Sequence, residues 1–222
     1  MTATTTDRRP PFAQVLRERS RHVHQRAEGA GFMKALMNGE IDRSGYALMV
    51  TQHLFIYDAL EAVGRELRNN QIAGAFIADE LLRGPHLRAD LDELLEPGWP
   101  ERVTPLPATT RYVARLRDMA TWPPGFVAHH YTRYLGDLSG GLAIGQVVAR
   151  VYGLSGPGVS FYRFERIPRP KVFKDGYRER LDTLFLDTDE QERMIQEVLT
   201  AYQLNTDVFV ELGQAVGLPG QP

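Results

Sequence analysis

The stretch Tyr131–Gly145, YTRYLGDLSGGLAIG, decides how this 222-residue chain is read, because it sets Gly136, Gly140, Gly141 and Gly145 inside an otherwise long helical pattern. Each glycine in a helix interior costs up to about 1 kcal/mol relative to alanine, so the four together require roughly 3 to 4 kcal/mol in return. Close packing of another helix against small residues supplies it in one reading. A flat ligand lying on bare backbone supplies it in the other. Glycine spacing alone favours packing, so other residues must decide.

Around this stretch the chain reads as a series of helices. After Pro10 and Pro11, the residues Phe12, Val15, Leu16, Val23 and Ala27 fall at helical spacing, and Gly29 and Gly31 punctuate the end. Residues 32–37 read as a short turn, after which Ser44 is placed to cap a long helix through Tyr46, Met49, Val50, His53, Tyr57, Leu60 and Leu67. Residues 72–95 carry two shorter helical patterns split by Gly84 and Pro85, and EPGWP at 96–100 breaks the chain. Pro105 and Pro107 introduce a helix over 108–119. Pro123, Pro124 and Gly125 reset the chain, and the glycine-bearing helix spans 126–152 until Ser155–Gly158 ends it. VSFYRF at 159–164 has strand-like composition but no partner strand, and reads as a loop. A helix over 171–185 follows, and Thr188 with Gln191 forms a capping box for a last helix to about Gly213. The sum is an all-α, single-domain multi-helix bundle of seven to nine helices, with about 1–10 and 214–222 expected to be flexible.

Composition narrows the chemistry. With 26 basic and 28 acidic residues the net charge is -2, which provides no strong field for nucleic acid or a membrane surface. The absence of cysteine excludes disulfides, zinc–cysteine sites, iron–sulfur ligation and thiol catalysis, and leaves histidine as the main soft metal ligand. No apolar run has signal-peptide or bilayer length, so a soluble, cytoplasmic protein without a membrane anchor is expected. There is no H-E-x-x-H, Walker loop or G-x-S-x-G, and no flavin or nicotinamide motif.

Several constellations could carry chemistry. Helix one holds His22 and His24, with Glu28 at i,i+4 from His24, the arrangement in which a carboxylate orients a metal-ligating imidazole. Arg17 lies seven residues before His24, which is close in helical phase and about 10 Å along the axis. Arg133 and Asp137 share a face with Gly136 and Gly140, and an aspartate beside a close backbone approach can hold a water network that feeds protons to a ligand. Lys174 and Arg178 set two cations on one helical face, suited to carboxylates. Phe161, Tyr162, Phe164 and Phe209 could wall a flat apolar ligand. Each also has a plain reading as surface ion pair, solvated basic face or ordinary core. His129 and His130 read as packing or capping, His53 as a core or pocket-edge residue, and His86 as exposed.

Taken in order from about Arg17 to Phe209, these residues resemble the haem oxygenase family, of the soluble bacterial type, and YTRYLGDLSGG is similar to that family's distal-helix signature. The resemblance implies that His24, in HVHQRAE, is the proximal ligand of haem iron, with Glu28 hydrogen-bonding its ring. It implies that Gly136, Gly140 and Gly141 lie over the haem, and that Asp137 organises a distal water network with Tyr57, Arg133 and Asn205. Tyr131, Lys174 and Arg178 match propionate-side residues, Arg17 stands where many members carry lysine, and Met33 and Phe209 match pocket walls. Haem is then both cofactor and substrate, sandwiched between helix one and a kinked glycine-rich helix. With O2 and electrons from an external ferredoxin or flavoprotein reductase it yields biliverdin, of the α isomer, CO and ferrous iron. The purpose would be iron acquisition or bilin supply, by a monomer or weak dimer. The alternative is a non-catalytic haem carrier using the same pocket; Asp137 counts against it, since binding alone has no use for a proton relay.

Overall fold

The computed structural model describes residues 10–29 and 31–218. Among them are nine α-helices: α1 (Phe12–Glu28), α2 (Gly31–Asn38), α3 (Arg43–Glu66), α4 (Gly84–Leu94), α5 (Pro107–Asp118), α6 (Pro123–His130), α7 (Leu142–Tyr152), α8 (Pro170–Asp182) and α9 (Thr188–Ala215). The all-α class and helix count agree with the sequence reading. The long α9 packs along α1 and also against α2, α5 and α6, while α3 lies on α4 and α5. One contiguous apolar core joins them, with Tyr46, Tyr57, Tyr112, Tyr134 and Tyr177 fully buried within it.

Helix ends follow from local chemistry, and here several expectations are corrected. Asp42, not Ser44, caps α3: its carboxylate accepts from the Gly45 N–H at 2.7 Å and from the Ser44 hydroxyl at 2.8 Å. Asp187 likewise caps α9 by accepting from the Glu190 N–H at 2.8 Å, so Thr188 is the first helical residue and Gln191 instead donates to the Leu186 carbonyl. In both places a carboxylate complements the helix N-terminus better than a neutral hydroxyl. Pro123 and Pro124 form the first turn of α6 instead of a break before it, since proline has no N–H to lose there. Residues 32–37, read as a turn, belong instead to α2, which buries Phe32, Met33, Ala35 and Leu36. The stretch before Gly84 forms the single 3-10 turns Ala73–Ala75 and Asp79–Leu81, not a regular helix. α8 stops at Asp182, and Phe185 beyond it is fully exposed.

The largest departure lies in the glycine helix. It runs as α6, then two π-helical turns, Tyr131–Leu135 and Asp137–Gly141, then α7. Its end is set by Gly153, at φ 67, ahead of the expected 155–158 segment. The loop that follows is non-helical apart from a 3-10 turn at Ser160–Tyr162, and buried Asp90 of α4 pins it by accepting from the N–H groups of Gly158, Ser160 and Phe161 at 2.7 to 2.8 Å.

Candidate functional site

α1 and the glycine helix face one another across a cavity of about 130 Å³. His24 and Ala27 line it from α1, and Gly136, Asp137, Gly140 and Gly141 from the opposite side. α9 contributes Tyr202, Asn205 and Phe209, α2 contributes Met33, α3 contributes Met49 and His53, and the pinned loop contributes Phe161 and Tyr162.

The glycines divide by function. A Cβ on Gly136 or Gly140 would meet nothing within 4 Å. On Gly141 it would touch Tyr162 at 3.6 Å, and on Gly145 it would come within 2.7 Å of the Tyr162 Cβ. Gly145 is therefore a packing glycine, as the first reading of the sequence has it. Gly136 and Gly140 are not. Gly136 has φ -61 and ψ -52, ordinary right-handed helical values open to any residue, and glycine there is required by neither backbone nor packing. Bare backbone facing a cavity is the remaining explanation, and it fits a flat group lying against the helix.

Beside these glycines sits a polar chain. The Tyr57 hydroxyl donates to Asp137 Oδ2, Arg133 Nε donates to the Tyr57 oxygen at 3.2 Å, and Arg133 Nη1 donates to Asn205 Oδ1. Arg133 is 6% exposed and Tyr57 fully buried, which rules out the plain surface-pair reading of Arg133 and Asp137. Desolvation in the cavity wall raises the Asp137 carboxyl above its ordinary range, although Arg133, the Tyr57 hydrogen bond and Arg83 pull the other way. Burial works against the Arg133 charge, but Tyr57 and Asp137 outweigh it and raise its pKa, so the guanidinium stays ionised. Burial also raises the Tyr57 phenol, which remains a donor.

The cavity mouth is basic. Arg17, Arg21, Lys174 and Arg178 surround an opening that also touches His24, Tyr131 and Gly136. Lys174 Nζ donates to Ser139 Oγ at 2.9 Å and Arg178 Nη1 to Asp175 Oδ1 at 2.9 Å. Desolvation, with the Arg178 charge beside it, lowers the Lys174 pKa. Four cations around an opening with no acidic side chain among its described lining residues make a place for acids at the edge of a bound group.

Thus the structure gathers His24, Met33, Arg133, Gly136, Asp137, Gly140, Gly141, Asn205 and Phe209 around one cavity, and Arg17, Tyr131, Lys174 and Arg178 at its mouth. Tyr57 joins them through Asp137. The Glu28 side chain lies outside the described residues. His24 is half-buried, with its ring edge-on to Tyr202 at 5.4 Å between centroids, and His22 is exposed. Phe164 lies under the Arg83 guanidinium, away from the cavity, and His86 is partly buried, not exposed. His129 and His130 are indeed packing residues: His129 Nε2 pairs with Glu197 at 2.8 Å and His130 Nδ1 with the Tyr177 hydroxyl at 3.0 Å. Among the described residues no group of three His, Cys, Asp or Glu side chains is placed to hold a metal ion. Arg21 and Tyr202 were missed; both were open to sequence reading, Arg21 one turn after Arg17 and Tyr202 on the face shared by Asn205 and Phe209.

A model of the heme oxygenase family matches residues 10–211. "Heme oxygenase 1" of Rattus norvegicus is 37% identical over 205 residues, covering 90% of this chain and 71% of the relative. "Heme oxygenase 2" of Synechocystis sp. is 35% identical over 206 residues, with 90% and 82% covered. The crystal structure of heme oxygenase-1 from Synechocystis sp. in complex with heme superposes with a TM-score of 0.88 at 33% identity, covering 93% of this chain and 94% of that one. Heme oxygenase from Leptospira interrogans superposes with a TM-score of 0.86 at 33% identity over 91% and 100%.

Proposed function

The chain belongs to the heme oxygenase family, and on that premise we propose that it opens haem to the α isomer of biliverdin with release of CO and ferrous iron, consuming O2 and electrons from a separate ferredoxin or flavoprotein reductase. His24 would hold the iron from α1, with Glu28 bonding its ring. Arg17, Tyr131, Lys174 and Arg178 would take the propionates, and Met33 and Phe209 would wall the ring. Haem, when bound, supplies the iron that activates dioxygen and the ring carbon that is oxidised.

The protein's part is seating and protons. Gly136 and Gly140 present backbone alone, so a flat ring can approach the helix as no side chain would permit. Tyr57 occupies one oxygen of Asp137, leaving the other to bind cavity water. Because Asn205 holds Arg133 and Arg133 in turn holds Tyr57, that oxygen is fixed in direction. A carboxyl whose pKa is raised by burial picks up and passes on a proton at Oδ1 more readily than an exposed one. The four cations at the mouth would set which ring edge turns toward the Asp137 side. We further propose that it works in the cytoplasm as a monomer or weak dimer; no helix among the described residues is long and apolar enough to cross a membrane.

The observation that carries this reading is the Asp137–Tyr57–Arg133 chain, buried at Tyr57 and Arg133, beside two glycines that pack against nothing. Its test is a pair of variants. His24→Ala should lose the haem absorption spectrum of an imidazole-ligated iron with the fold unchanged by circular dichroism, and an unaltered spectrum refutes the assignment. Asp137→Ala should still take up haem while biliverdin output collapses. Normal output from that variant would leave a haem carrier as the better description.

A further inference from the structure

α3 presents Met49, His53 and Tyr57 at successive four-residue steps, one face of the helix. Met49 and His53 line the cavity, and Tyr57 bonds to Asp137. His53 is 6% exposed, and its Nε2 is buried without a hydrogen-bond partner in the protein. Its ring neighbours are Phe161, Tyr57 and Phe209, at centroid distances of 5.5, 6.4 and 6.4 Å. A buried, unpaired polar nitrogen costs about 1 to 3 kcal/mol, whereas an apolar side chain in this aromatic setting would cost nothing comparable. Burial and the charge of Arg133 keep the imidazole neutral, so it carries one N–H and one lone pair. Arg133 lines the same cavity and, bonded through Nε and Nη1, has Nη2 to offer a second partner.

We propose that His53 Nε2 holds a water molecule at the inner end of the cavity and joins it to the Arg133–Tyr57–Asp137 chain, which makes His53 a positioning residue for proton delivery. The water has at least two polar partners and an apolar floor, as ordered buried waters do. The inference rests on the proton-delivery role of Asp137 given above.

Two measurements on the full-length protein test it. A high-resolution crystal structure of the haem-free protein should show a water within about 3.2 Å of His53 Nε2, lost in His53→Leu. A dry Nε2, or a ring turned to bond a protein group, overturns the proposal. In haem-loaded enzyme, His53→Leu should bind haem within about twofold of the parent but yield three- to tenfold less biliverdin per electron pair, the order expected for one water-mediated bond. The missing electrons should appear as hydrogen peroxide, the two-electron, two-proton product of O2. His53→Gln, whose amide can hold the same water, should recover at least half the yield. An unchanged yield in His53→Leu, or no recovery in His53→Gln, overturns it. If Asp137→Ala keeps its yield, the underlying reading has failed; if Asp137→Ala collapses and His53→Leu does not, only this inference has.

Discussion

Gly136 and Gly140 differ from Gly145 in what surrounds them, although all three lie in one continuous helical stretch and would be interchangeable on paper. Around Gly145 the space is taken by Tyr162, whose Cβ sits 2.7 Å from where a methyl would go. Around Gly136 and Gly140 there is open cavity. The same residue type therefore serves packing at one end and ligand approach at the other. The two halves also differ in register, since π-helical turns run through 131–135 and 137–141 and give way to a regular α-helix from Leu142. π turns inside α-helices recur at functional sites, and here they coincide with the half that faces the cavity.

The contrast can be broken by substitution. The largest effect is expected from Gly140→Leu, which fills the space a flat group would occupy: haem affinity should drop at least 100-fold, about 3 kcal/mol, in an optical titration, while the melting temperature holds or rises. A fall in both together would make Gly140 a packing glycine after all. His129, on the packed side of the same helix, and Arg115 of α5 fasten Glu197 of α9. Burial alone would raise the Glu197 carboxyl, but the hydrogen bonds from His129 and Arg115 outweigh it and hold the carboxyl well below its ordinary range. A depressed carboxyl contributes stability above its unfolded pKa and loses it as pH falls. Glu197→Gln should therefore lower the unfolding free energy by about 2 kcal/mol at pH 7, after allowance for the partly open Arg115, and the deficit should shrink below about pH 4.5. A deficit that is constant with pH in urea titrations would separate Glu197 from ion pairing.

Gly145→Ala is expected to cost about 1 to 3 kcal/mol of stability through overpacking against Tyr162, with haem affinity reduced less than by Gly140→Leu. The smallest effect should come from Gly136→Ala, which removes a helix-interior glycine at ordinary helical angles and should raise the stability of the haem-free protein by about 0.5 to 1 kcal/mol. A loss of stability in its denaturant midpoint would mean that Gly136 is needed by the fold itself.

Much of the architecture was legible because punctuation in this chain is strong. Proline in the first turn of α5, α6 and α8 marks their starts. α2 is not legible because its eight residues are too few to show periodicity. The caps at Asp42 and Asp187 were misplaced by one or two residues, since serine, threonine and aspartate compete for the same position and only geometry decides. At the site, spacing along one helix groups His24 with Glu28 and Lys174 with Arg178, but each pair keeps a plain surface reading until the family resemblance is added. The Tyr57–Asp137–Arg133–Asn205 chain is not legible in this way, because it draws on α3, the glycine helix and α9; without the family resemblance, Arg133 and Asp137 stay open between a water-holding pair and an ordinary surface pair. The resemblance named its members but not their bonds.

Sequence by itself determined the helical class, the exclusion of thiol and cluster chemistry, and the presence of a histidine and several cations at helical spacing, because these depend on residue type and local order alone. Tertiary structure decided which glycines face open space, which charges are buried, and where His53 points. The reason is physical: a glycine has no side chain to reveal its surroundings, and Tyr162 reaches Gly145 only because Asp90, on a distant helix, fixes the loop that carries it.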